Sequence, residues 1–324
     1  MNIEYSMLEN GFDFIVYAIN SINVAREREI DDFARKRLIK YALLHLSSGV
    51  ELVFKHRLLQ ENWTYIFSDM NKANKQDFEL GDFKSIDSST CITRLINLCN
   101  IDFSPKQLKT LEQLRKRRNK IEHFLFTDSK ESIESLMRHS LSVIMNFIAE
   151  NIKIEAMTEE ENDLFEQIQK DTIDLAEVVN ERVKLIEMTI KNCGAPETLE
   201  VCPECLMKYL LIGDCDVKCL YCYYTDTPDK VADGYVSNVL GISQYSVLKE
   251  GDDYPVYECF ECNENSMAVD LDNGVCLCFN CGHKSNLENV VWCNNCGQPF
   301  YSAYKDKDIP VCSSCLKDIL LNGD

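Results

Sequence analysis

The feature that most constrains this chain is a set of six C-x-x-C pairs crowded into its last two-fifths. Fourteen of its 17 cysteines lie between Cys202 and Cys315. Cys202, Cys205, Cys219 and Cys222 follow the pattern C-x2-C-x13-C-x2-C. Cys259, Cys262, Cys278 and Cys281 follow C-x2-C-x15-C-x2-C, and Cys293, Cys296, Cys312 and Cys315 repeat it. Two intervening residues let one tight turn offer two thiolates to a single metal ion, and two such turns complete a tetrahedron of sulfurs. The spacing therefore predicts about three structural Zn²⁺ ions, each closing a small hairpin. Four sulfurs per ion leave no open coordination position, which argues against a catalytic metal. Cys281 and Cys293 are themselves close in the chain, so a crossed pairing of the last four turns stays open at this level. Cys215, Cys276 and His283 are read as bystanders, with ligand substitution by one of them as the other option.

The rest of the chain has a different texture. Up to about residue 195 glycine and proline are scarce and apolar residues recur every three or four positions, the period of a helix with one buried face. Helices are expected near 3–24, 28–60, 89–99, 105–125, 129–154 and 158–192, with a long polar loop from Trp63 to Asp87. After Cys193-Gly194-Ala195-Pro196 come short alternating runs, glycines and cysteine pairs. The fold class is thus mainly α: an N-terminal helical bundle over 1–195, then small β-rich zinc-ribbon modules over 196–324. Cys91 and Cys99, among apolar neighbours, are read as core residues.

Charge and hydropathy exclude several roles. Residues 1–195 carry 26 Lys+Arg against 32 Asp+Glu, and residues 196–324 carry 8 against 21, so nets of −6 and −13 make up the total of −19. The cysteine-rich half should repel nucleic acid rather than grip it. The sequence shows no secretory signal and no apolar run long enough for a membrane span, so a cytoplasmic protein with reduced thiols is expected.

Against that acidic background the stretch Leu114–Phe124, LRKRRNKIEHF, stands out. Its helix has a clear start: Ser104 as cap, Pro105 in the first turn and Gln107 three residues after the cap. Leu108, Leu111, Leu114, Ile121 and Leu125 make an apolar stripe, and Arg118 falls on it, where a charge needs a partner or a function. Asn119 precedes His123 by one turn. Five residues of helix turn through about 500°, leaving Arg118 and His123 roughly 140° apart. The arginine must therefore curl round, or a second protomer must supply one of the pair. Arg115, Lys116, Arg117 and Lys120 form a basic strip suited to an RNA backbone, with a solvated helix end paired to Glu112 and Glu122 as the plainer reading.

The Arg118-Asn119-x3-His123 pattern, with YALLHLSSGVELVFKHRLL at 41–59 and its Glu51 and Lys55, resembles the HEPN domains (higher eukaryotes and prokaryotes nucleotide-binding). These are helical bundles that include many metal-independent ribonucleases. The resemblance covers roughly residues 1–155, or as far as 192, and leaves the cysteine-rich half outside it. It implies a homodimer through the helical domain, with two motifs lining one cleft. His123 would act there as general base or acid, Arg118 would stabilise phosphoryl charge and Asn119 would orient the phosphate or the histidine. The expectation is an endoribonuclease, of the kind that serves as a toxin or antiviral effector, with RNA as substrate. The other reading is a non-catalytic helical adaptor whose acidic ribbons dock a regulatory protein partner, with Arg118 in an ion pair. Glu51 and Lys55 read as an ordinary i,i+4 pair, His45 as a core residue, and His56 and His139 carry no evident constellation.

Overall fold

The computed structural model describes residues 3–193, 199–213, 217–301 and 310–322. Two compact units divide the chain, Met1–Leu185 and Ile186–Asp324.

The first unit is mainly helical, with one isolated antiparallel bridge between Phe67 and Ser85. α1 (Met7–Ala25) opens with a Ser6/Glu9 capping box, and α2 (Asp32–Glu61) is capped by Asp31. α1 and α2 pack at very close range because Gly11 and Gly49 face each other. A Cβ on Gly49 would come within 2.7 Å of the Gly11 carbonyl oxygen. α4 (Ser88–Cys99), α5 (Pro105–His123) and α6 (Lys130–Asn151) complete the packing around Phe12, Ile15, Leu43, Leu114 and Ile144. α7 (Glu159–Cys193) is the longest described helix, and the division between the units falls within it.

Trp63–Asp87 is not the featureless loop its polar residues suggest. It holds a 3-10 turn at Trp63–Ile66, another at Met70–Lys72, and α3 (Lys75–Leu80). Trp63, Phe67, Phe78 and Phe83 gather there, with the Phe67 and Phe83 rings stacked at 4.2 Å. These four aromatics fall at irregular intervals, so sequence pattern alone could not reveal their clustering. Cys91 is wholly buried, as expected of a core residue, and burial pushes its thiol up to about 12.

The second unit is built from small antiparallel sheets. β1 (Leu210–Ile212), β2 (Val217–Cys219) and β3 (Thr225–Asp226) form the first, in that order. α8 (Pro228–Gly234) runs into a π turn at Tyr235–Val239, and α9 (Gln244–Glu250) follows. This ordered insertion places Tyr235 against Phe279 at 5.1 Å. The second sheet is β4 (Val256–Tyr257), β5 (Met267–Asp270), β6 (Val275–Cys278) and β7 (Lys284–Asn286). The last pair is β8 (Val290–Trp292) with β9 (Pro299–Tyr301), followed by α10 (Ser313–Asn322). Mainly α with small β modules is thus the observed class. No described helix is long and apolar enough to cross a membrane.

Candidate functional site

The end of α5 carries the arginine and the histidine. The helix starts as its sequence dictates: Ser104 Oγ accepts from the Gln107 N–H at 3.3 Å, and Gln107 Oε1 accepts from the Ser104 N–H at 2.7 Å. It stops at His123, and Phe124 is already extended.

The buried charge on this helix is Arg117, not Arg118. Arg117 is 3% exposed, and its guanidinium donates to Asp128 at 2.5 Å, Gln113 at 2.7 Å and Ser132 at 3.2 Å. Asp128 lies in the α5–α6 connection and Ser132 in the first turn of α6, so this one side chain ties three segments together. Arg117 therefore leaves the expected RNA-binding strip, since a guanidinium sunk in an ion pair has no face for a phosphate backbone. Arg115 is engaged too, by both oxygens of Glu112 at 2.7 and 2.8 Å. Lys116 is half-buried and its ammonium is pulled down, chiefly by that burial. Lys120 is exposed. The apolar stripe also ends sooner than expected: Leu125 lies beyond the helix and is 71% exposed.

Arg118, with its side chain 41% exposed, reaches along the last turn of α5. Its Nη1 lies 2.9 Å from Glu122 Oε2 and 3.1 Å from Asn119 Oδ1. His123 Nε2 stands 3.8 Å from the same Glu122 oxygen, and the imidazole is 75% exposed. The angular separation of the two positions is thus overcome within one chain, because the long arginine side chain bends toward the helix end. The two nitrogens can be no farther apart than these two distances laid end to end. A single carboxylate oxygen thus lies near both nitrogens. Immediately beyond lies Phe124, an apolar side chain 84% exposed beside this polar cluster.

Glu51 and Lys55 form the expected i,i+4 pair at 2.5 Å, in a half-buried network with Ser85 and Ser88. His45 is half-buried among Phe14, Tyr17 and Tyr41.

The second candidate centre is the cysteines. Three groups of four bring their sulfurs within 4.8 Å of one another: Cys202/205/219/222, Cys259/262/278/281 and Cys293/296/312/315. This is the uncrossed pairing. Sulfurs approach across the groups to 3.7 Å (Cys202–Cys222), 3.7 Å (Cys262–Cys278) and 3.8 Å (Cys296–Cys312). Four sulfurs held about 2.3 Å from a central ion in a tetrahedron would lie about 3.8 Å apart, so the spacing fits a metal. Backbone N–H groups of Glu261, Asn280 and Cys312 point at the sulfurs of Cys259, Cys278 and Cys293 at 3.3–3.4 Å, which favours thiolate. The Cys312 N–H pulls the Cys293 thiol down to about 6.

In five of the six turns the residue after the second cysteine has positive φ: Leu206, Tyr223, Asn263, Gly282 and Gly297. Glycine supplies this conformation freely at two of them. The sixth turn differs, because Cys315 already sits in α10, so the third group is a hairpin knuckle joined to a helix rather than a second pair of hairpins. Cys276 lies outside the groups, its sulfur against Ser285 Oγ at 3.1 Å, and His283 packs its ring against Phe260. Cys215 lies outside the described residues. Comparison of the chain with protein-family models, curated proteins and solved structures found no match.

Proposed function

We propose that this protein is a metal-independent endoribonuclease whose catalytic groups are Arg118 and His123. One observation carries the reading: both side chains converge on a single anionic oxygen at the end of α5, although their positions on the helix point them apart. A phosphodiester that displaced the Glu122 carboxylate would meet the same two groups. His123 takes the proton of the ribose 2′-hydroxyl, and the 2′-oxygen attacks the adjacent phosphorus. The 5′-oxygen leaves with a proton returned by an imidazolium, and the product ends in a 2′,3′-cyclic phosphate. Arg118 holds the charge that builds on the phosphoryl oxygens. Asn119, now bonded to Arg118, orients that guanidinium.

Because one imidazole serves as base and another as acid, two protomers sharing a cleft suit this chemistry. Phe124 and Leu125, exposed beside His123, give a homodimer an apolar seam at that place. Of the basic strip, the exposed Lys120 is the side chain that faces RNA. The three cysteine groups hold structural Zn²⁺ and take no part in the reaction, and the compartment that suits reduced thiolates is the cytoplasm.

The Arg118–Glu122 ion pair also favours the second reading, an adaptor in which Arg118 is merely paired and the acidic ribbons dock a protein partner. RNA ends are sequenced after expression of the wild type, Arg118→Ala, His123→Ala and Glu122→Gln. The nuclease reading expects new ends from the wild type, a loss of at least about 100-fold in both alanine variants, and cleavage retained or raised in Glu122→Gln, where the competing charge is gone. Wild-type protein that produces no new ends leaves the adaptor reading standing.

A further inference from the structure

At the opposite end of α5 from His123 a polar cavity opens against α6. Its volume is about 160 Å³, and it is lined by Ser104, Lys106, Gln107 and Thr110 at the start of α5 and by His139, Ser142, Val143 and Asn146 of α6. His139, Ser142 and Asn146 are spaced three and four apart, so α6 presents them on one face. Seven of the eight lining side chains can hydrogen-bond, and among the described residues no carboxylate lines the cavity.

The charges around it agree. His139 is pushed down to about 4, first by burial and then by the charges of Arg138 and Lys106. The imidazole is therefore neutral near pH 7 in a locally positive field. Its Nδ1 faces Ser135 Oγ at 3.5 Å in the preceding turn, and in the tautomer where Nδ1 accepts from that hydroxyl, Nε2 carries the proton and can donate to an anion. Lys106 is exposed, and its long side chain can close over the opening. Size narrows the ligand further: pockets for drug-sized molecules run from about 300 Å³ upward, while this one has room for roughly five waters. Polar side chains from both helices and the one positive charge of Lys106 around so small a space suit a tetrahedral oxyanion.

We propose that the α5–α6 cavity binds one phosphate-sized oxyanion, either free inorganic phosphate or the phosphoryl group of a small phosphate monoester. Lys106 supplies the countercharge, and His139, Ser142 and Asn146 supply hydrogen bonds. This site is independent of the proposed nuclease centre, and its test needs no RNA.

The test is calorimetric titration of the full metal-loaded chain with inorganic phosphate and, separately, with glycerol 3-phosphate. One site per chain is expected. Lys106→Ala and His139→Gln should each weaken binding at least about tenfold, while Lys109→Ala, on the same helix but outside the cavity, should leave it unchanged. Tighter binding of the monoester identifies a carried phosphoryl group; equal or tighter binding of phosphate identifies the free ion. Lys106 is exposed, so its variant folds even if the His139 change does not. Failure of both probes to bind below about 10 mM overturns the proposal, as does equal loss in Lys106→Ala and Lys109→Ala, the signature of diffuse attraction.

Discussion

At the scale of single residues, two neighbouring arginines have exchanged the parts their positions suggest. Arg117 and Arg118 lie three and four residues after Leu114, and a helix of 3.6 residues per turn lets either share its face. What decides between them is Asp128 and Ser132, partners that arrive only when the α5–α6 connection folds back. The buried cation of this helix was therefore not legible in the sequence, whose period put Arg118 on the apolar stripe. Arg117→Met leaves Asp128 as a buried carboxylate with one partner fewer, and losing half of such a pair costs about 3–5 kcal/mol. Urea denaturation should show a fall of that size for Arg117→Met and a smaller one for Arg117→Met combined with Asp128→Leu, which removes both charges. If the single change leaves the midpoint where it was, the ion pair does not hold this connection.

At the scale of elements, capping and cysteine spacing were the most readable signals because both are local. Ser104-Pro105-x-Gln107 starts α5 where expected, and the intervals between the C-x-x-C turns pair them as the structure does. The third group departs from the pattern because α10 takes over its second turn, a change the C-x-x-C spacing does not encode. Exposure then grades the three groups. The four cysteines of the first are all buried, whereas Cys281 of the second and Cys296 of the third are exposed, with Cys262 and Cys312 partly so. Attack by a chelator begins at an accessible sulfur, so the Cys202 group should give up its metal last. Native mass spectrometry during chelation checks this: the wild type should end in a long-lived one-metal species, and a Cys202→Ser variant should show no one-metal species that persists as long. Loss of all three ions in one step counts against graded release.

At the scale of the whole molecule, the helical unit carries histidines whose burial disfavours charge. His139 falls to about 4, and burial also lowers His45 and His56. The unfolded chain binds a proton near pH 6.5 that folded His139 refuses until about pH 4, so unfolding takes up protons in that window. Stability is therefore full above about pH 6.5 and declines as pH falls toward 4. The His139 share is on the order of 3 kcal/mol. Acid also protonates the metal-binding cysteines, so the measurement is a difference: melting curves of the wild type and His139→Gln at pH 7 and pH 5, with the wild type losing more. Equal losses mean that His139 is not held neutral. None of this was legible in the sequence, where His139 has no constellation; its neighbours Lys106 and Ser142 come from two helices.

The positive-φ residues of the cysteine turns give metal exchange a direction in time. Leu206 and Tyr223 both take up a left-handed conformation in the first group. L side chains are disfavoured there, because Cβ crowds the following carbonyl oxygen. Turn hydrogen bonds hold those two residues, Leu206 N–H to the Cys202 carbonyl and Tyr223 N–H to the Cys219 carbonyl, both at 3.0 Å, and a metal on the four sulfurs would brace them further. Once it leaves, each can relax to negative φ and swing the cysteine before it out of register. Reloading must then first rewind both turns. The third group, with Gly297 at its one such position, has no comparable barrier. The first group is therefore expected to show hysteresis, keeping its metal longest and, once emptied, regaining it most slowly.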